Sequence, residues 1–142
     1  MNNLKILREI NNRSKSEIAS ILGISKNTYY TYENNFNSIS TLNLKVLSKL
    51  YNTSIDYILG LSKNPNPYQY NHDVCLFEYT NNLKILRNKN LLTQRDLANI
   101  LHVSTSCYCK YENNIIDIPV KHIITLAKYY QVSSDYLIRN IN

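Results

Sequence analysis

Three cysteines, three histidines and a surplus of basic side chains are the groups in this chain that could do more than pack. Cys107-x-Cys109 is too tightly spaced for a zinc site, whose paired cysteines are typically separated by about two to four residues, and no second ligand pair follows. With Cys75 the cysteines are odd in number and unevenly spaced, which argues against a disulfide framework and fits a reducing compartment. No nucleophile stands beside a base, no glycine-rich phosphate loop is present, and no carboxylate pair has matching context. The expectation is a chain without metal, cofactor or catalysis. What remains is charge. Sixteen Lys and Arg against ten Asp and Glu give +6 and a pI of about 9.2, a balance that suits a polyanionic partner such as nucleic acid. Tyr29-Tyr30-Tyr32 could stack on bases. Tyr29 and Tyr32, three apart, share one helix face and are better read as core, with Tyr30 between them.

The residues that position these groups come in two copies. Asn2-Asn3-Leu4-Lys5-Ile6-Leu7-Arg8 recurs as Asn81-Asn82-Leu83-Lys84-Ile85-Leu86-Arg87, and Tyr32-Glu33-Asn34-Asn35 as Tyr111-Glu112-Asn113-Asn114. The same offset of 79 joins Asp56-Tyr57 to Asp135-Tyr136, with roughly 24 of about 58 aligned positions identical. A repeat of this length is a domain, since solenoid units run to about 20–50 residues. Residues 1–60 and 79–142 are expected to be the two domains, and 61–78 a linker broken by Asn64-Pro65-Asn66-Pro67. The apolar stretch 74–78 is expected either to extend the next helix or to pack on a domain face. Residues 1–59 carry seven basic and four acidic side chains, and residues 79–142 eight and four, so each copy is basic while the connector is not.

Within a copy the pattern predicts five helices. Leu4, Leu7 and Ile10 mark the first. Ser14 and Glu17 form a capping box for the second, which is expected to turn Ile18, Ala19, Ile21 and Leu22 inward, and Gly23 ends it in a left-handed conformation. Ser25 caps a third helix, 26–34; Leu44, Leu47 and Leu50 define a fourth; Ser54 caps a short fifth. The second copy follows the same plan with Thr93 and Asp96, Ser104 and Ser133 in the capping positions, and Pro119 at the start of its fourth helix. His102 replaces the turn glycine, at a cost of roughly 1 kcal/mol for a side chain at positive φ.

Two short helices joined by a tight turn form a helix-turn-helix. Ser14-x-x-Glu17-Ile18-Ala19-x-x-Leu22-Gly23-Ile24-Ser25 followed by Tyr29-x-x-Tyr32-Glu33-Asn34 resembles the phage repressor and Cro family, also called lambda-repressor-like or XRE-type. Thr93-Gln94-x-Asp96-Leu97-Ala98-x-x-Leu101-x-Val103-Ser104, then Tyr108-x-x-Tyr111-Glu112-Asn113, is similar to the same family. The resemblance covers about 120 of the 142 residues. It implies an all-α fold of two tandem five-helix domains, each placing its third helix in the major groove of double-stranded DNA. It further implies base-facing roles for Lys26, Asn27 and Thr31 in one domain and Thr105, Ser106 and Lys110 in the other. Lysine can donate to guanine, asparagine can pair with adenine, and hydroxyls are permissive. Lys15, Gln94, Asn34 and Asn113 fall where the family touches phosphate. The capping Ser25 and Ser104, and Tyr30, complete the candidate surface. An arginine of helix one is implied to pair with a glutamate ending helix three: Arg8 with Glu33, Arg87 with Glu112.

These readings make the chain a transcriptional regulator, most simply a repressor. It acts either as a monomer with pseudo-dimeric tandem domains or as a homodimer. The alternative is a protein-binding module of the same fold, such as an antirepressor or antitoxin-like partner. Its support is the loops Phe36-Asn37-Ser38 and Ile115-Ile116-Asp117, which carry no positive charge. The N-terminus enters an amphipathic pattern directly and no run of about 18 apolar residues occurs, so a cytoplasmic protein without a membrane span is expected. Read as a flexible coil, a connector of roughly 19 residues would average about 25 Å between its ends.

Overall fold

In a computed structural model, which describes residues 2–67 and 81–139, the chain is all-helical among those residues. The first copy comprises α1 (Leu4–Ile10), α2 (Lys15–Leu22), α3 (Lys26–Asn34), a 3-10 turn over Phe36–Ser38, α4 (Thr41–Tyr51) and α5 (Ile55–Ile58). The second comprises α6 (Leu83–Lys89), α7 (Gln94–Leu101), α8 (Thr105–Glu112), α9 (Val120–Tyr130) and α10 (Ser134–Leu137). No helix among the described residues is long and apolar enough to cross a membrane. The stretch 74–78 and Cys75 lie outside the described residues.

The helix starts are where the capping residues put them. The Ser14 hydroxyl accepts from Glu17 N at 3.1 Å while the Glu17 carboxylate accepts from Ser14 N at 2.6 Å; Thr93 and Asp96 repeat this at 3.1 and 2.8 Å. Pro119 takes the N-cap of α9, where the first copy has Ser40. Helix ends use left-handed residues: Gly23 and His102 after α2 and α7, Asn52 and Gln131 after α4 and α9. A Cβ placed on Gly23 meets nothing within 4 Å. The same turn therefore accepts His102 in the second copy at the cost of its φ of 56° alone.

One inward assignment, that of Ile21, is corrected, and Ile10, which marks the spacing of α1, also faces solvent. Ile10 is 70% exposed and Ile21 46% exposed. The burial of α1 is complete with Leu4 and Leu7, because Ile10 sits on its last, solvated turn. On α2, Ile18 and Ala19 fill the core, Leu22 is half-buried, and Ile21 falls at the edge of that stripe. Tyr29 and Tyr32 are buried, as are Tyr108 and Tyr111. The N-terminal asparagines close each copy: Asn2 Nδ2 donates to Tyr32 O at 2.8 Å and Asn3 Nδ2 to Tyr57 O at 2.8 Å, with Asn81 and Asn82 bonding Tyr111 and Tyr136 in the same way.

The two copies dock on each other through described residues of α4, α5, α10 and the loop after α8. Asp135 reaches across to α5, where its carboxylate accepts from Ile55 N at 2.7 Å and Asp56 N at 3.3 Å. In return Asp56 accepts from Ser134 N of α10 at 3.1 Å. Every first-turn donor of α5 is thereby assigned, since Tyr57 N goes to its own Ser54 hydroxyl and Ile58 N to Ser54 O. A second contact joins Thr41, whose N–H donates to Asp117 Oδ2 at 2.7 Å and whose hydroxyl donates to Ile118 O at 3.1 Å. Lys45 lies half-buried near this junction; burial pushes its pKa below the usual lysine value, against the attraction of Asp117. Buried apolar residues of both copies, Ile39 and Ile118 among them, form one continuous cluster. Residues 61–67 fold back over the junction, with Leu61 N and Ser62 N bonding Asp56 O and Thr53 Oγ1 bonding Pro65 O.

Candidate nucleic-acid interface

Each helix-turn-helix is built by a short list of local bonds. After α2, Ile24 N returns to Ala19 O at 3.0 Å and Gly23 N to Ser20 O at 3.2 Å; after α7, Val103 N and His102 N make the equivalent bonds at 3.0 and 3.3 Å. The next residue then caps the following helix. Ser25 Oγ accepts from Thr28 N at 3.0 Å and Ser104 Oγ from Cys107 N at 3.1 Å. The turn thus sets the direction of α3 and α8, and buried tyrosines fix their rotation. With Tyr29 and Tyr32 inward, α3 presents Lys26, Asn27, Tyr30, Thr31 and Asn34 to solvent. With Tyr108 and Tyr111 inward, α8 presents Thr105, Ser106 and Lys110, flanked by half-buried Cys107 and Cys109.

The candidates differ in how committed they already are. Lys26, Asn27, Thr105, Ser106 and Lys110 make no side-chain hydrogen bond or ion pair among the described residues. Thr31 Oγ1 donates to Asn27 O at 3.1 Å and Asn34 Nδ2 to Tyr30 O at 2.7 Å, each bonded one turn back on its own helix. Asn113 Nδ2 donates to Cys109 O at 2.9 Å and contacts its sulfur at 3.3 Å. Lys15 is held against α3, its Nζ 4.6 Å from the Tyr30 ring centre and 3.9 Å from Glu33 Oε2. Gln94 occupies the same register in the second copy and donates from Nε2 to Glu112 Oε2 at 3.0 Å. The structure therefore brings Lys15, Tyr30 and Glu33 together, and Gln94 with Glu112.

Those two glutamates anchor the back of α3 and of α8. Arg8 Nε donates to Glu33 Oε1 at 2.6 Å and Arg87 Nε to Glu112 Oε1 at 2.6 Å, with Arg87 Nη2 reaching Oε2 at 3.3 Å. The Glu33 and Glu112 side chains are 4% and 2% exposed, so these pairs lie inside the protein and tie the first helix of each copy to the third. Hydrogen bonding to the glutamate raises each arginine's pKa above its ordinary value. Arg8 Nη1 also bonds Arg13 O, and Arg87 Nη1 bonds Leu92 O, fixing the loop that leads into the second helix.

Arg95 was not among the sequence candidates. It is exposed on the first turn of α7, next to the position where Lys15 has given way to Gln94. The signal was the neighbouring pair: Lys15-Ser16 in one copy, Gln94-Arg95 in the other, a cation moved by one residue. Among the described residues no three His, Cys, Asp or Glu side chains converge as metal ligands.

The helix-turn-helix family model matches residues 4–58 and again 83–137, each match spanning one five-helix unit. The Bacillus subtilis (strain 168) protein named "Uncharacterized HTH-type transcriptional regulator YobD" is 36% identical over 64 residues, 45% of this chain and 57% of that protein. Antitoxin PezA of Streptococcus pneumoniae serotype 4 (strain ATCC BAA-334 / TIGR4) is 32% identical over 94 residues, 65% of this chain and 56% of that protein. The chain thus spans a little over half the length of these curated relatives. No solved structure matches significantly. With the turn, the caps and the buried tyrosines all present in duplicate, the chain belongs to the helix-turn-helix family, in its lambda-repressor-like (XRE-type) form, carried twice in tandem.

Proposed function

We propose that this protein is a sequence-specific double-stranded DNA-binding transcriptional regulator, acting as a repressor in the cytoplasm. The observation that carries this reading is the state of α3 and α8. Both are held from behind by buried pairs, and among the described residues Lys26 and Asn27 on α3 and Thr105, Ser106 and Lys110 on α8 are exposed without a side-chain partner. A preorganised helix with uncommitted donors and acceptors suits the major groove, where base edges present a donor and acceptor code. Lys26 and Asn27 read bases in the first half-site, and Thr105, Ser106 and Lys110 in the second, with Thr31 beside them. Lys15, Asn34, Gln94, Arg95 and Asn113 bear on phosphate, Ser25, Ser104 and Tyr30 line the approach, and no catalytic step is involved. The domains run over 1–60 and 79–142, with 61–78 between them.

The two recognition surfaces differ, so the two half-sites differ in sequence and one chain reads an asymmetric operator. Selection of bound duplexes from a random pool, followed by a salt titration on the winner, tests the reading. The expected result is one preferred sequence whose affinity falls steeply with salt as counterions are released. Binding that ignores salt, or none at all, refutes it. The exposed Leu42, Ile115 and Ile116, at 68%, 68% and 39%, favour the second reading, a protein-binding module. That reading stands if duplex DNA fails and similarity to a named antitoxin proves the better guide.

A further inference from the structure

Asp56 and Asp135 occupy the same position in the two copies, and so do Ile55 and Ser134. Asp135 accepts from Ile55 N; Asp56 accepts from Ser134 N. Exchange the copies and the contact maps onto itself. A second pair of contacts obeys the same rule. Thr41, at the start of α4, bonds Asp117 and Ile118, which follow α8; α9, the counterpart of α4, packs on the 3-10 turn that follows α3. A contact in which residue i meets j while the mate of j meets the mate of i is isologous, and isologous contacts arise from a two-fold axis. Two copies following one another along a line would instead make a heterologous contact, with Asp135 engaged and Asp56 facing away.

We propose that this reciprocal Asp56–Asp135 clasp relates the two recognition helices of one chain by a pseudo-two-fold axis, so that a single chain reads two non-identical half-sites in inverted orientation at one fixed spacing. The proposal rests on the DNA-binding reading above. Both copies share one fold and enter the groove in the same way, so the rotation that relates the copies also relates their half-sites. A two-fold axis perpendicular to the duplex exchanges its strands, and half-sites related by it are inverted. A direct repeat requires translation along the duplex, which the clasp does not allow. The spacing is likewise set by docked helices and a shared core, not by the length of residues 61–78.

The experiment uses the full chain and the two half-sites recovered by selection, synthesised as inverted and as direct repeats and stepped base pair by base pair through one helical turn of about 10–10.5 base pairs. The expected result is one spacing of the inverted repeat bound at least about tenfold more tightly than any direct repeat. Asp56→Ala combined with Asp135→Ala should bring the inverted-to-direct ratio towards one while salt-dependent binding persists. Should that variant unfold, the comparison of duplexes by the unaltered chain decides alone. Residual dipolar couplings of the full chain without DNA are expected to fit one alignment tensor for both copies. Equal affinity for inverted and direct repeats, indifference to spacing, or two independent tensors overturns this proposal and leaves the DNA-binding reading in place. Failure to bind any duplex at low salt overturns both.

Discussion

Glu112 has almost no contact with water, and its carboxylate is paired with Arg87 inside the protein. Arg87→Met removes the guanidinium and leaves a buried carboxylate without its ion-pair partner, still accepting from the Gln94 amide. The expected cost is about 3 kcal/mol, the scale for breaking a buried pair, well above the ~0–1 kcal/mol of a surface one. Urea unfolding measures it, and a loss under about 1 kcal/mol contradicts the account. At the recognition surface, Asn27→Ala should relax preference at one base position. Lys15→Ala should weaken all duplexes alike and flatten the salt slope by about one unit, and titrating both variants against a panel of single-base changes separates the two roles. His122 is buried beside the Tyr111 ring, and burial, reinforced by Lys121, lowers its pKa. Below about 6.5 the unfolded chain takes up a proton that the folded one resists. Stability is therefore complete above that pH and lost as pH falls through the lowered value, at no more than about 1.4 kcal/mol per pH unit. His122→Phe should remove that component from a pH series of denaturation curves; an unchanged profile would assign the slope elsewhere.

Among the elements, the helices were legible because their ends announce themselves. Ser14, Thr93, Ser25, Ser104, Ser54 and Ser133 all cap where the sequence places them, and Gly23 and His102 both take the left-handed conformation. Periodicity alone was less informative about depth. Ile10 continues the spacing of Leu4 and Leu7 yet faces solvent, because a seven-residue helix offers its core only two turns. The arginine–glutamate pairs followed from family resemblance and formed as expected. Asp56 and Asp135 were visible as a recurring Asp-Tyr but not as a junction. An acidic residue in the first turn of a helix satisfies that helix's own dipole equally well, so local reasoning finds nothing left over to explain. For the turn itself, His102→Gly should stabilise the chain by about 1 kcal/mol, since it removes the side-chain penalty at positive φ. Thermal denaturation checks this, and no gain would mean that His102 makes compensating contacts.

At the scale of the whole molecule, two basic five-helix units behave as one body. Their buried apolar residues are continuous, and each short last helix depends on the other copy for a first-turn acceptor. One calorimetric transition is therefore expected for the full chain. Asp135→Ala strands two donors at the start of α5 and should lower stability by about 2 kcal/mol, the range for buried groups left without a partner. Two well-separated transitions in the unaltered protein would show that the units are thermodynamically independent.

The reciprocal clasp also changes the arithmetic of mutation. In an assembly of two identical chains every amino-acid replacement is made twice, and a new preference appears in both halves of the site or in neither. Here position 27 can change while position 106 stays as it is. The copies already differ at 26, 27, 28, 30 and 31 against 105, 106, 107, 109 and 110, while the aspartates that hold them together are the same. On the proposed reading of two half-sites by one chain, one base change in one half of an operator would be answered by one codon change in one half of the gene, while the other half keeps its grip.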